Sequence, residues 1–300
     1  MVRTFLERLQ AGEILVADGA TGTNYQRMGL GLGVPPEEWL IDAPEKVIAL
    51  HRAFIDAGSD IILTNTFGGT RLRLRDSKYA DRAPELNRRA VQLAREAADG
   101  KPVLIAGSIG PTGLLCEPLG ELTSEAAVAT FAEQAAALVE GGVDLLVLET
   151  FFALDEATAA VQAVKQASSI PLVVSFSYDQ GMRTMMGHTP SQVVEAIAPL
   201  GVAAIGANCG KTLDAMEQIV REMAALGTGL PIWAKPNAGL PRMVDDVATY
   251  DVGPATMAEY ALRYLRAGAR IVGGCCGNTP EHVAAIASAV KRSPVVKRSP

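Results

Sequence analysis

The stretch "TSEAAVATFAEQAAALVEGG" (123–142), followed at once by "VDLLVLE" (143–149), decides the predicted fold. The first segment opens with Thr123, a good helix N-cap, and closes on two glycines, so it predicts a helix. The second is almost continuously apolar, which is typical of a strand buried on both faces of a parallel sheet. Together they form one helix–strand unit of an alternating α/β chain.

The same alternation recurs along the whole sequence. Seven further apolar runs predict strands at 14–18, 60–65, 103–108, 171–177, 202–209, 231–237 and 270–274. The segments between them predict further helices at 44–58, 83–100, 155–168, 189–199, 212–226, 255–267 and 280–291. Eight strand–helix units predict a single-domain (β/α)₈ barrel, the TIM barrel, over residues 1–290. The basic, proline-containing tail 291–300 predicts disorder.

A doubly wound sheet is the main alternative to the barrel. It more often has five to seven strands and a G-x-G-x-x-G loop after the first of them. Here the first turn reads "ADGATGTNY" (17–25), which lacks that motif. The barrel is therefore favoured.

Composition bounds the class of protein. The 27 Lys and Arg against 33 Asp and Glu give a net charge of −6, which disfavours a nucleic-acid or anionic-membrane partner. The N-terminal stretch is broken by charges and lacks the apolar core of a secretory signal, and no run is long enough to span a membrane. We therefore expect a soluble, cytoplasmic protein whose four cysteines are reduced.

Three of those cysteines fall where barrel enzymes place their chemistry. Cys209 ends the sixth predicted strand, and Cys275 and Cys276 follow the eighth in "IVGGCCGNTP" (271–280). Since active sites lie at the carboxyl ends of the strands, these thiols should meet on one rim. Polar residues end most of the other strands there. Cys116 lies in a loop after the third strand and is a candidate fourth ligand, but its loop looks flexible and we expect it to have no role in the site.

The three thiols have three possible interpretations. Free cysteine packs as a small hydrophobe, so simple burial is one. A redox pair is the second, although C-x-x-C is absent and adjacent cysteines are poorly placed for a disulfide. The third is catalytic zinc, which often has three protein ligands and an open position. Thiolate-rich zinc is a weak Lewis acid but deprotonates a bound substrate thiol, so this site suits a small thiol nucleophile.

The motifs together resemble those of the homocysteine S-methyltransferase family. The matching pieces run through essentially the whole chain in order: "DGATGT" (18–23), "TNTFGGTRLRL" (64–74), "GSIGPTG" (107–113), "LETF" (148–151), "GANCG" (206–210), "KPNAGLP" (235–241) and "GGCCGNTPEHV" (273–283). "TNTF" and "KPNAG" look most like the cobalamin-dependent methionine synthases. The resemblance implies a homocysteine-binding barrel.

The resemblance also implies roles for individual residues. Cys209, Cys275 and Cys276 match zinc ligands, with the substrate sulfur as the fourth. Asn237 matches a residue that fills the open zinc position without substrate, and Glu149 matches the acid that holds the substrate ammonium. The amino-acid end of the pocket would be lined by Asp18, Gly19, Thr64, Asn65, Ser108 and Asn208.

The implied reaction is methylation of the zinc-bound homocysteine thiolate to methionine. The resemblance favours methylcobalamin, held on a separate domain or corrinoid protein, as the methyl donor. A small onium donor such as betaine or S-methylmethionine is the alternative, as is methyl transfer to another thiol. A non-catalytic zinc-binding barrel is disfavoured, because a metal store needs no amino-acid pocket.

Overall fold

The computed structural model describes residues 3–244 and 247–293 of the chain. Its eight main strands, all parallel, are β1 (Leu15–Val16), β2 (Ile61–Leu63), β3 (Leu104–Ile109), β4 (Leu145–Phe151), β5 (Leu172–Phe176), β6 (Ala204–Cys209), β7 (Ile232–Pro236) and β10 (Ala269–Val272). They lie in the order β1-β10-β7-β6-β5-β4-β3-β2. A bridge between Ala17 and Ile61 joins the two ends, so the sheet nearly closes on itself. The predicted (β/α)₈ barrel is confirmed.

Helices surround this sheet. The helices that follow the strands are α4 (Pro44–Asp56), α5 (Ala83–Ala98), α6 (Ser124–Gly141), α7 (Leu154–Ala167), α8 (Pro190–Ile197), α9 (Leu213–Ala225), α10 (Pro254–Ala267) and α11 (Pro280–Arg292). Thr123 caps α6, since its hydroxyl accepts a hydrogen bond from Ala126 N at 3.1 Å. Gly142 ends that helix in the left-handed region at φ +90°. Each predicted helix is present, and each of its ends lies within two residues of the predicted position.

Several short elements were not predicted. They are the helices α1 (Phe5–Gln10), α2 (Gly22–Arg27) and α3 (Trp39–Asp42), and a two-stranded antiparallel hairpin of β8 (Arg242–Val244) and β9 (Val247–Thr249). Six residues or fewer carry too little periodicity to be recognised in a sequence. The last helix continues to Arg292, two residues past the predicted end of the barrel, and residues 294–300 of the predicted tail lie outside the described residues.

The apolar core has two layers. The larger fills the space between the strands and the helices. The smaller layer fills the barrel interior and includes the side chains of Leu15, Val147 and Trp233. Phe5 of α1 belongs to this inner layer at 1% exposure, so the unpredicted first helix packs against the barrel interior. In the part of the chain that the structure covers, no helix has the length and apolar character needed to cross a membrane.

Close approach of β6 to β7 generates the first prediction. A Cβ added at Gly206 would overlap the backbone carbonyl of Trp233, whereas one added at Gly22 would meet nothing within 4 Å. We expect Gly206→Ala to lower the free energy of unfolding by about 1–3 kcal/mol or more, because the backbone must move. Gly22→Ala should leave it unchanged or slightly higher. Urea unfolding measures both, and equal stability of the two variants would contradict this account.

Candidate active site

The three cysteines of the rim come together in the structure. Cys209 ends β6, and Cys275 and Cys276 follow β10. Their Sγ atoms all lie within 4.8 Å of one another, and those of Cys209 and Cys275 are 3.0 Å apart. All three side chains are half-buried and unpaired by disulfides. Cys116 lies outside this cluster.

The charge state of the cluster depends on a cation. Hydrogen bonds to Cys275 and Cys276, together with burial, raise the pKa of Cys209 well above its usual value. Hydrogen bonds from Cys209 and Cys275 lower the pKa of Cys276 well below it. Three thiolates within 4.8 Å of one another would also repel each other. Holding all three as thiolates requires a positive charge between them.

A tetrahedral zinc ion fits this donor set. Sulfur ligands at about 2.3 Å from zinc lie about 3.8 Å from one another in a tetrahedron. The Cys209–Cys275 separation of 3.0 Å is shorter than that value by less than 1 Å, and the limit of 4.8 Å on all three separations allows it. Thiolate is also the ligand that soft divalent ions prefer over oxygen.

The backbone at Cys209 is unusual. Cys209 has φ +56° and the following Gly210 has φ +77°, so two successive residues are left-handed. A non-glycine residue in this region costs free energy and persists only where its surroundings hold it. Here Asn237 holds the turn, because its amide nitrogen donates to Gly210 O at 3.0 Å and its oxygen accepts from Cys276 N at 3.0 Å. Asn237 thus links the two cysteine loops.

A cavity of about 620 Å³ opens above the cysteines. Its lining includes Gly19, Thr64, Asn65, Ser108 and Glu149, together with the three cysteines. Five of the predicted pocket residues are therefore placed around one space. Asp18, Asn208 and Asn237 are not among the residues that line it, and their predicted contacts with substrate or metal stay predictions.

Glu149 is one of two acidic residues that line this cavity, the other being Glu37. Glu149 ends the inward face of β4, is 8% exposed, and accepts a hydrogen bond from Ser108 Oγ at 2.5 Å. Burial raises its pKa to about 7, Lys235 and the Ser108 hydrogen bond oppose the shift, and Cys275 and Asp18 add to it. The carboxyl group is therefore poised between its neutral and anionic forms near pH 7, and a cationic ligand would favour the anion.

Lys235 was missed in the sequence. It lies on β7, lines the cavity, and forms an ion pair with Asp18 at 2.8 Å, with both side chains almost fully buried. Burial lowers the pKa of Lys235, but the charges of Asp18 and Glu149 outweigh it and raise the pKa above its usual value. A lysine inside the apolar run "PIWAKPN" (231–237) was the available signal, because a buried charge needs a partner.

The remaining predicted residues satisfy the backbone at the rim. Thr64 Oγ1 accepts from Ser108 N at 3.1 Å and shares a hydrogen bond with Thr66 Oγ1 at 2.7 Å. Asn65 Nδ2 donates to Pro36 O at 2.7 Å. These two side chains therefore shape the cavity wall, which the first loop of the barrel completes. That loop, residues 19–37 with α2, was not predicted to contribute beyond Gly19.

A barrel with a cluster of three thiols and a buried acid around a cavity on its carboxyl rim is typical of an enzyme that acts on a small molecule. The sequence matches the profile of the homocysteine S-methyltransferase family over residues 15–290. The chain belongs to this family, and the membership predicted from the motifs is confirmed.

Two curated relatives are methionine synthases. That of Mycobacterium leprae is 31% identical over 299 residues, which is 94% of this chain and 25% of the relative. That of Mycobacterium tuberculosis is 31% identical over 294 residues, which is 92% of this chain and 24% of the relative. The chain therefore spans about a quarter of the length of these relatives.

Solved structures agree on the fold. The metallated form of the homocysteine methyltransferase MmuM from Escherichia coli superposes with a TM-score of 0.80 at 26% identity, covering 94% of this chain and 98% of MmuM. A methyltransferase from Methanosarcina mazei superposes with a TM-score of 0.62 at 14% identity, covering 96% of this chain and 99% of that one. The second likeness supports the barrel fold alone.

The buried ion pair generates the second prediction. Lys235→Met leaves the buried Asp18 carboxyl group without its ion-pair partner, so we expect a loss of about 3–5 kcal/mol in the free energy of unfolding. Arg88→Met, which breaks the exposed Arg88–Glu140 pair, is the control and should cost about 0–1 kcal/mol. Adding Asp18→Asn to Lys235→Met should restore part of the loss. An equal loss of unfolding free energy in Lys235→Met and Arg88→Met, measured by urea unfolding, would contradict a stabilising role for the buried pair.

Proposed function

We propose that the chain binds Zn²⁺ through Cys209, Cys275 and Cys276 and methylates homocysteine to methionine. The observation that carries this proposal is the thiol cluster in the same cavity as Glu149. The thiolates can bind a metal ion that coordinates the sulfur of a substrate, and the acid can bind an ammonium group. An amino-acid thiol carries these two groups at its two ends. Membership of the homocysteine S-methyltransferase family supports the same substrate.

The residues of the cavity have separate tasks in this proposal. Zn²⁺, when bound, supplies the positive charge that keeps a substrate thiol deprotonated near neutral pH. Glu149 binds the substrate ammonium, and Ser108 orients the carboxylate through its hydrogen bond to Oε1. Held at this end, the substrate presents its sulfur to the methyl carbon, whose bond to the donor breaks as the new S–C bond forms.

For the methyl donor we propose methylcobalamin carried by a separate domain or protein. Two findings support this choice over a small onium compound. The methionine synthases of two mycobacteria are 31% identical to this chain, against 26% for MmuM. Large apolar side chains are also exposed on the rim loops, namely Leu32 (62%), Leu119 (67%), Met185 (59%) and Met243 (67%). These loops follow strands and therefore lie at the same end of the barrel as the cavity, where exposed apolar groups suit the docking of a macromolecule.

The third prediction tests the metal and the reaction together. Cys209→Ser should lose tightly bound zinc and most methionine formation, because an alcohol is a poor replacement for a thiolate ligand. Cys116→Ser is the matched control and should keep both. Zinc content is measured on each purified protein. Methionine formation is measured with homocysteine and, in parallel reactions, methylcobalamin, betaine or S-methylmethionine. Full zinc content and full activity in Cys209→Ser would refute the proposed function. Turnover of the parent protein with betaine or S-methylmethionine but not with methylcobalamin would refute the proposed donor.

The fourth prediction concerns the ammonium site. The pKa of Glu149 is raised to about 7, so its carboxylate form is lost as the pH falls through that value. Binding of homocysteine should therefore weaken from pH 8 to pH 6 relative to 4-mercaptobutanoate, which has the same thiol but no ammonium group. Calorimetric titration of both ligands measures the ratio of their dissociation constants. Glu149→Gln should abolish the pH dependence of that ratio. A ratio that stays constant in the parent protein would exclude this role for Glu149.

A further inference from the structure

Asn208 is the last residue of β6 before the first cysteine. It is fully buried, and its side chain is hydrogen-bonded at both ends of the amide. We propose that Asn208 is a positioning residue for the thiolates, which donates from its amide nitrogen toward Cys209 and Cys275, rather than a residue that contacts the substrate. This inference rests on the metal centre of the proposed function.

The orientation of the amide follows from its partners. Thr150 N lies 2.9 Å from Asn208 Oδ1, and a backbone N–H can only donate, so this end of the amide must be the oxygen. Ser175 Oγ donates to the same oxygen at 2.6 Å. The opposite end is therefore the NH₂ group, and it faces the cysteines.

The NH₂ group has three acceptors around it. Asn208 Nδ2 lies 2.6 Å from Thr150 Oγ1, 3.6 Å from Cys209 Sγ and 3.8 Å from Cys275 Sγ. Hydrogen bonds to a charged acceptor are about twice as strong as neutral ones. These contacts would therefore strengthen when both sulfurs carry negative charge around a bound cation. Asn208 thus offers the thiolates a buried donor that is already oriented.

The same amide also connects two strained turns. Thr150, with φ +66°, and Cys209, with φ +56°, are two of the three left-handed non-glycine residues in the described chain. Asn208 bonds the backbone and the hydroxyl of Thr150 and directly precedes Cys209. Thr150 in turn directly follows Glu149. The amide therefore ties the strand end that carries the acid to the strand end that carries the first cysteine.

An isosteric substitution separates the two ends of the amide. Asn208→Asp keeps an oxygen for Thr150 N and Ser175, and Thr150 Oγ1 can donate to the second oxygen. It replaces the donor beside the sulfurs with a negative charge. Outer residues that orient metal ligands typically contribute 10–100-fold to metal affinity, so we expect Zn²⁺ to bind about 10–100-fold more weakly. Asn208→Ala removes the donor without adding charge and should weaken binding less.

The experiment measures metal binding without turnover. Metal-free parent and variants are titrated with Zn²⁺ against a chromophoric chelator, and with Co²⁺ to record the thiolate-to-cobalt charge-transfer band. Ser175→Ala is the matched control, because it removes a hydrogen bond to the oxygen and leaves the NH₂ group in place. It should bind Zn²⁺ like the parent, whereas Asn208→Asp should bind more weakly and shift the cobalt band.

Each outcome bears on the proposal. Parent-like zinc affinity and an unchanged cobalt band in Asn208→Asp would overturn it and leave the metal centre standing. A parent protein that binds no Zn²⁺ would overturn the proposed function, and this inference with it. Thermal unfolding of the metal-free proteins reports on the fold. Collapse of the metal-free fold in both Asn208 variants would also overturn the inference, because Asn208 would then serve the barrel framework.

Discussion

Asp18 and Lys235 form a buried ion pair at the carboxyl end of the barrel, and much of the site depends on it. The second oxygen of Asp18 accepts a hydrogen bond from Leu63 N at 2.8 Å, so the carboxylate joins β1, β2 and β7 where the sheet closes on itself. β1 has only two residues and meets β2 through a single bridge. A side chain therefore supplements the hydrogen bonding that the backbone leaves sparse at this seam.

The charge of the pair also shapes the cavity above it. Lys235 offsets the negative charges of Asp18 and Glu149, which lie on a rim that also holds three thiols. Asparagines complete the arrangement, because an amide can donate and accept without adding charge. Asn208 bonds Thr150 and Ser175, Asn237 links the two cysteine loops, and Asn278 donates to Pro236 O at 3.0 Å and Cys275 O at 3.1 Å. A lysine and three uncharged asparagines thus stabilise a part of the rim that is rich in acidic groups.

The fold and the cluster of three thiols could be predicted from the sequence because their signals are local. Each apolar run identifies a strand, and the residue after it lies on the carboxyl rim, which was enough to bring Cys209 and Cys275 together across 66 positions. Short elements such as α1 and the hairpin were not predicted, since their apolar residues show no clear periodicity. Glu149 was identified through the family motif. Lys235 was overlooked, although a lone charge in a buried strand signals a partner.

By itself, the sequence determined the order of the strands and the set of residues at the rim. Only the tertiary structure shows which groups each rim residue contacts. Asp18 pairs with Lys235, 217 positions away, and Asn208 bonds Thr150 and Ser175, while their predicted contacts with substrate stay predictions. The physical reason is that a strand pattern fixes the end of the barrel at which a side chain lies. Its hydrogen-bond partners come from other loops, and those are chosen only when the barrel closes and buried polar groups must be satisfied.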